Sequence, residues 1–295
     1  MTTEKRVIGV IGGSGLYDLD NLESASVLDF STPWGAPSGP VTSGFLAGTK
    51  VFFLPRHGDG HRVPPNDVNY RANIDALKQA GITDLISISA CGSFREELSP
   101  GTFVMIDQFI DRSVNRQNSF FGPGCVAHVS MAEPICPLLR DAACKSAAAT
   151  DIPFVENGTY LGMEGPHFSS KAESHLYRSW GCDVIGMTNA TEAKLAREAE
   201  LPYASICMVT DYDCWHEEEK AVEVEAILSV MRNNTINAKR LLPDLIQRLG
   251  PARTSSPLGI ETCLDTAIIT PPQSRDPQLV AKLHTIAGRA FSKPL

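Results

Sequence analysis

Two carboxylates stand two residues apart in Thr210-Asp211-Tyr212-Asp213-Cys214-Trp215, directly after the apolar run Tyr203 to Thr210 (YASICMVT). If the chain stays extended through them they share one face, because alternate residues of a strand point the same way. Neighbouring carboxylates can divide roles: repulsion raises one pKa, so one group keeps a proton to donate while the other stays ionised and accepts. The same pair could cap a following helix or hold a magnesium ion, and on residue type alone capping ranks first.

A second set of residues has the chemistry of anion binding. Arg56-His57-Gly58 follows Val51 to Leu54 (VFFL), placing a permanent cation and an imidazole just past an apolar run. A guanidinium can grip a phosphate dianion with two parallel N–H donors, although an isolated Arg-His-Gly is more often a surface salt bridge beside a solvated imidazole. Gly12-Gly13-Ser14-Gly15 follows the run Arg6 to Ile11 (RVIGVI). Its glycines would let backbone amides approach an anion, with Ser14 adding a hydroxyl. It fits neither GxGxxG, since position 17 is Tyr, nor GxxxxGK[ST], so a tight structural turn explains it equally well. The run Asp84 to Ala90 (DLISISA) leads into Cys91-Gly92-Ser93, again small residues with hydroxyls.

These groups have one thing in common: each follows a β-rich apolar run, as does Thr188 after Asp183 to Met187 (DVIGM). A further strand is expected over Thr102 to Ile110 (TFVMIDQFI). Helical patterns lie between them over Tyr70 to Ala80, Pro137 to Ala149, Ser169 to Trp180, Thr191 to Glu200 and Glu217 to Leu242. Alternation of this kind predicts an α/β fold, a mixed and largely parallel twisted sheet flanked by helices, with ligands gathered at the carboxyl ends of strands. The linker-like stretch Gly250 to Pro257 divides the expectation into a catalytic domain over 1–249 and a tail over 250–295 that packs on the domain or on a neighbouring subunit.

With 295 residues, 43% of them hydrophobic, the chain can bury a sizeable core. Its net charge of −8 disfavours a nucleic-acid groove or an anionic membrane as partner, but leaves room for a small anion gathered by local donors. No run approaches the roughly 18 apolar residues of a membrane span, and the start MTTEKRVIGV lacks the pattern of a signal peptide, so a cytosolic location is expected. The eight cysteines show neither CxxC nor zinc spacing and read as reduced, small apolar residues. Neither a metal nor an organic cofactor is expected.

Taken in order, GGSGL, LPRHG, VNYRANIDALK, SACGSFREE, DQFIDR, MAEPICP, MEGPHFSSKAES, DVIGMT and TDYDCW resemble the trimeric purine nucleoside phosphorylase family, most closely its methylthioadenosine phosphorylase branch. The resemblance spans roughly Arg6 to Leu249. It implies phosphorolysis of an adenine nucleoside by inorganic phosphate, with 5′-methylthioadenosine as substrate, or alternatively a broader purine nucleoside phosphorylase acting on adenosine or 6-oxopurine nucleosides. It also implies a homotrimer.

Carried over by position, Ser14, Arg56, His57, Ser89, Ala90 and Thr188 fall where the family binds phosphate. Phe168 falls where an aromatic packs on the purine, Met187 at the ribose, and Asp211 with Asp213 at N7 and the exocyclic amine of adenine. A 6-oxopurine enzyme has Asn at the place of Asp211, because an amide can serve a carbonyl acceptor and an ionised carboxylate cannot. Val224 stands where such enzymes carry a His for the 5′-hydroxyl, and with Ile227 and Leu228 it makes an apolar stripe at i, i+3 and i+4 that would suit a methylthio group or plain core packing. His128 resembles a residue that reaches into a neighbour's 5′ pocket, and the tail segment Cys263 to Thr270 would help to line it. Ser replaces Thr at positions 14 and 89, His167 stands where Arg is familiar and Gly186 where Asn is. A dinucleotide-dependent dehydrogenase is the main rival, but it needs an acidic ribose ligand after its second strand, where this chain has Arg56-His57. A non-catalytic nucleoside sensor on the same fold is the other.

Overall fold

Alternate residues of the central strands go to opposite cores, and this is what makes the molecule three-layered. Phe52 and Leu54 pack with Ile11 and Leu85 on one face, while Val51 and Phe53 pack with Ile8, Val10, Ile86 and Ile88 on the other. The computed structural model describes residues 5–13, 16, 21–216 and 224–292, the first three of the last stretch by backbone alone.

Eleven strands are described: β1 (Val7–Gly12), β2 (Glu23–Leu28), β3 (Val41–Leu46), β4 (Thr49–Pro55), β5 (Asp84–Ser93), β6 (Phe103–Met105), β7 (Gln108–Asp111), β8 (Phe154–Val155), β9 (Thr159–Gly162), β10 (Val184–Gly186) and β11 (Tyr203–Asp211). They form one sheet in which β2-β3-β4-β1-β5-β10-β9-β7 is the main path, with β11 beside β5 and β6, and β8 beside β6. The pairs of β1 with β4 and β5, of β11 with β5, of β9 with β7 and β10, and of β6 with β8 are parallel, so the sheet is mixed and largely parallel.

The register ends β1 and β4 level with each other and carries β5 and β11 several residues further. Gly12 pairs with Pro55, Cys207 with Ser89 and Asp211 with Gly92. β10 instead runs antiparallel to β5, with Val184 opposite Ser93, so the chain leaving it at Met187 and Thr188 returns toward the same region.

Helices cover both faces. α1 (Tyr70–Gln79), α4 (Asn189–Glu198) and the short tail helices α6 (Leu264–Ala267), α7 (Pro277–Lys282) and α8 (His284–Phe291) lie on one side. On the other are α2 (Pro137–Ala149) and α5 (Val224–Leu249), while α3 (Lys171–Ser179) flanks the turn after β11. Their ends obey local chemistry. The Asn69 side chain accepts from the Ala72 amide to start α1, Pro137 opens α2, and Ser170 with Glu173 forms a reciprocal capping box on α3.

Two expectations need correction, and two strands are added to them. The run Thr102 to Ile110 is two strands, β6 and β7, because Asp107 turns the chain by accepting the Gly158 amide, after which β6 pairs with β11 and β7 with β9. β2 and β3 were not legible, since every residue of β2 is exposed and no apolar alternation marks it. The helix expected over Glu217 to Leu242 continues to Leu249 through Pro243; residues 217–223 lie outside the described residues. The segment after Gly250 packs on the domain, one of the two placements expected for it: Leu264, Ala267, Leu283, Ile286 and Ala287 are buried in the same cluster as Ile11, Leu54 and Tyr203.

Candidate active site

Arg56 follows β4 and is buried, with its backbone N–H donated to the Gly12 carbonyl at the end of β1. Its Nε and Nη2 donate to the two carboxylate oxygens of Glu192 at 2.5 and 3.0 Å, Nη2 also reaches Ser87 Oγ at 2.6 Å, and Nη1 donates to the Ile88 carbonyl at 3.1 Å. Burial opposes the charge, and Glu192 more than offsets that, so the guanidinium pKa is raised and the group stays cationic. The two-pronged grip expected on phosphate is therefore given to Glu192. A guanidinium cannot be desolvated here without a carboxylate partner. Of its five N–H groups, one on Nη1 has no partner among the described residues.

His57, next in the chain, has Nδ1 2.8 Å from the Val63 carbonyl. A carbonyl only accepts, so Nδ1 carries the proton and Nε2 presents a lone pair. Burial, then repulsion from Arg56, lowers its pKa to about 4, which keeps the ring neutral.

Ser89 and Thr188 meet through a residue that sequence reasoning missed. Both hydroxyls donate to Asn189 Oδ1, at 3.0 and 2.8 Å, and the Asn189 amide reaches Ser205 Oγ at 2.5 Å. Either hydroxyl can turn its proton toward an anion while the other keeps Oδ1 satisfied. The Thr188 N–H donates to Tyr160 Oη at 3.2 Å. That tyrosine also explains Gly186: an added Cβ there would lie 2.2 Å from Tyr160 Oη, leaving no room for a side chain. Ala90, half-buried, adjoins Ser89 on β5. Ser14 lies outside the described residues.

Asp211 closes β11, and the chain then turns instead of remaining extended. Asp213 has φ +52°, and its N–H donates to Asp211 Oδ1 at 2.8 Å, an Asx turn that replaces the shared strand face. Thr210 Oγ1 lies 2.7 Å from Asp211 Oδ2 and 3.1 Å from the Cys91 carbonyl. The turn is anchored by Trp215, whose indole N–H donates to Ser93 O and whose ring carries the Arg178 guanidinium 3.8 Å above it. Burial raises the Asp211 pKa, against the Thr210 hydroxyl and the Asp213 amide. Asp213 is raised too, first by burial and further by the charge of Asp211, with Ser174 opposing. Its Oδ2 is buried without a hydrogen-bond partner among the described residues, as is the nearby Ser174 hydroxyl.

Met187 is half-buried, whereas Phe168 is 54% exposed. Ile227 is half-buried and Leu228 exposed, so this stretch is not core packing; Val224 opens α5, and its side chain lies outside the described residues. His128 is exposed, on a loop whose backbone pairs with the tail: Ala127 bridges Ile268 and the His128 N–H donates to Ala267 O. A surface cavity of about 450 Å³ lined by Phe94, Arg95, Arg178 and Asp183 contains none of the expected site residues. Among the described residues no three His, Cys, Asp or Glu side chains are grouped to hold a metal ion, and no helix is long and apolar enough to cross a membrane.

A cation, hydroxyls and a carboxylate pair gathered along β5 and its neighbouring strands are the equipment of glycosyl transfer to an anion, and residues 7–247 match the family described as Phosphorylase superfamily; the chain belongs to it. It is 56% identical over 287 residues to the S-methyl-5′-thioadenosine phosphorylase of Cereibacter sphaeroides, covering 97% of this chain and 99% of the relative. The protein of the same name from Bradyrhizobium diazoefficiens is 54% identical, with 97% and 98% covered. A methylthioadenosine phosphorylase from an antarctic soil metagenomic library has a crystal structure that superposes with a TM-score of 0.89 at 41% identity, over 95% of this chain and 98% of that one. An adenosine/methylthioadenosine phosphorylase mutant from Schistosoma mansoni, solved in complex with methylthioadenosine, gives 0.81 at 35% identity over 88% and 96%.

Proposed function

We infer that this chain cleaves 5′-methylthioadenosine with inorganic phosphate, releasing adenine and 5-methylthioribose 1-phosphate. The observation that carries this reading is the Asp211–Asp213 turn, set beside Gly92 on β5, the strand that bears Ser89 and accepts Arg56 at its Ile88 carbonyl. Full-length relatives of that name support it.

Phosphate is held by Arg56, His57, Ser89, Ala90 and Thr188, together with Ser14. Arg56 contributes its charge and the spare Nη1 N–H, and neutral His57 has a lone pair to offer the P–OH of hydrogenphosphate. Phe168 covers the purine and Met187 the ribose. Asp213 accepts from the exocyclic amine with its unpartnered Oδ2.

Burial lets Asp211 keep its proton above the ordinary carboxylate range. It donates that proton to N7 as the C1′–N9 bond breaks. The bonding electron pair passes into the purine, a phosphate oxygen takes C1′, and Asp211 is left ionised beside the electron-poor sugar. Val224, Ile227 and Leu228 offer the 5′ substituent an apolar wall, completed by His128 of a neighbouring subunit in a homotrimer.

The test is base release from 5′-methylthioadenosine, adenosine, methylthioinosine and inosine, with and without phosphate. Phosphate-dependent release is expected to be fastest from methylthioadenosine. Equal rates on the two inosines would favour the broader purine nucleoside phosphorylase, and release independent of phosphate would remove the phosphorolysis reading.

A further inference from the structure

We propose that Arg116 is a positioning residue for the nucleoside side of the site, tying the loop that carries Phe168 to the backbone of Met187. The proposal rests on the reading above, in which Phe168 and Met187 face the nucleoside.

The loop Met163 to Ser169 needs an external tie. It contains no helix or strand, and Phe168 at its tip is 54% exposed, so packing of its own aromatic does not fix it. Arg116 supplies the tie from a different loop. Its side chain is only 2% exposed, and its donors are spread over three partners. Nε donates to Glu164 Oε1 at 3.2 Å and Nη2 to the Glu164 carbonyl at 2.5 Å. Nη1 donates to the Met187 carbonyl at 2.9 Å and to Tyr70 Oη at 2.7 Å. The other carboxylate oxygen of Glu164 accepts the Val114 amide at 2.8 Å, so the two loops are stitched in both directions.

The arrangement admits little slack. At Gly165, with φ +72°, an added Cβ would come within 2.5 Å of Met187 Sδ, so the backbone of the loop lies directly against the methionine. A planar fork with several fixed donors holds two backbone segments at one spacing, which a single flexible ammonium does not. Arg116 thus sets the distance between the start of the purine loop and the ribose residue without itself facing the reacting atoms.

The phosphate side has ties of its own, although Arg116 holds the Met187 carbonyl of the peptide that carries the Thr188 N–H. Thr188 keeps its N–H on Tyr160 and its hydroxyl on Asn189, and neither bond involves Arg116. Loss of Arg116 should therefore separate two affinities that a general weakening of the fold would reduce together.

The experiment measures adenine and phosphate dissociation constants by calorimetry, and KM for 5′-methylthioadenosine and for phosphate, in Arg116→Gln and Arg116→Lys. In Arg116→Gln, adenine affinity and nucleoside KM should worsen by about tenfold or more while the phosphate constant stays within about twofold. Arg116→Lys should show the same split at smaller amplitude, and it provides the reading if the Gln variant does not fold. Wild-type adenine affinity in a folded variant, or equal losses for adenine and phosphate, would overturn the proposal. Phe168→Ala is measured beside them: if it too binds adenine as the wild type does, the assignment of the loop to the purine fails. Weakened Phe168→Ala with unchanged Arg116 variants removes only the role of Arg116.

Discussion

The carboxylate of Glu192, in the first turn of α4, lies across the Nε and Nη2 edge of Arg56, and both side chains are 2% exposed. Ser87 and Tyr203 add further contacts to the same carboxylate, at 2.8 and 3.3 Å. This pair decides what Arg56 can offer a ligand: a cation in a fixed place, tempered by its partner, with one N–H left without a partner among the described residues.

Glu192→Gln leaves that cation buried without a counter-ion. Breaking a buried pair from one side costs about 3–5 kcal/mol. Urea unfolding should report a loss of that order, and a loss below about 1 kcal/mol, the range of an exposed pair, would show that the guanidinium finds water instead.

Glu198, near the end of α4, accepts from Ser119 Oγ and the Phe120 amide, both at 2.6 Å, yet burial raises its pKa to about 7. A folded-state pKa above the unfolded value means that the native chain holds the extra proton. The contribution to stability is therefore full below about pH 4.5 and is lost as pH rises through about 7. Glu198→Gln should remove that slope, so the stability of the variant relative to wild type should rise between pH 5 and 8, by up to about 3 kcal/mol. A difference that stays constant with pH would mean that Glu198 titrates normally.

Leu283, between α7 and α8, is fully buried in the cluster that includes Ile11 and Tyr203. If the tail is structural, Leu283→Ala should cost about 2–5 kcal/mol in denaturant unfolding. A cost near zero would mean that the tail detaches without disturbing the rest of the core. The ion pair of Arg289 with Glu200 of the domain argues against detachment.

What the sequence disclosed followed from periodicity and punctuation. α2 is read to the residue, Pro137 to Ala149, because proline marks its start and small residues run to its end. The strand ends bearing Arg56 and Asp211 were legible because apolar runs stop there, whereas β5 continues past Ser89 and Ala90 to Ser93. Glu192 was not legible, since a glutamate in an Ala-, Lys- and Arg-containing helix reads as solvated, and only tertiary placement opposite Arg56 buries it. Arg116 stands in a polar loop with no periodic pattern, and Asn189 resembles any helix-start residue. The geometry of Asp211 and Asp213 was misjudged for a related reason: strand alternation predicts a shared face, but a hydrogen bond between side chain and backbone turned the chain one residue earlier.

The central claim is that Asp211 gives a proton to the departing adenine. Its most direct test is single-turnover release of base from 5′-methylthioadenosine and from methylthioinosine, at saturating phosphate, by wild type and Asp211→Asn. The amide cannot give up a proton, so adenine release should fall by about 10²- to 10⁴-fold, the usual share of general acid catalysis, with a much smaller fall for the 6-oxopurine. Adenine release by Asp211→Asn at near the wild-type rate would contradict the account.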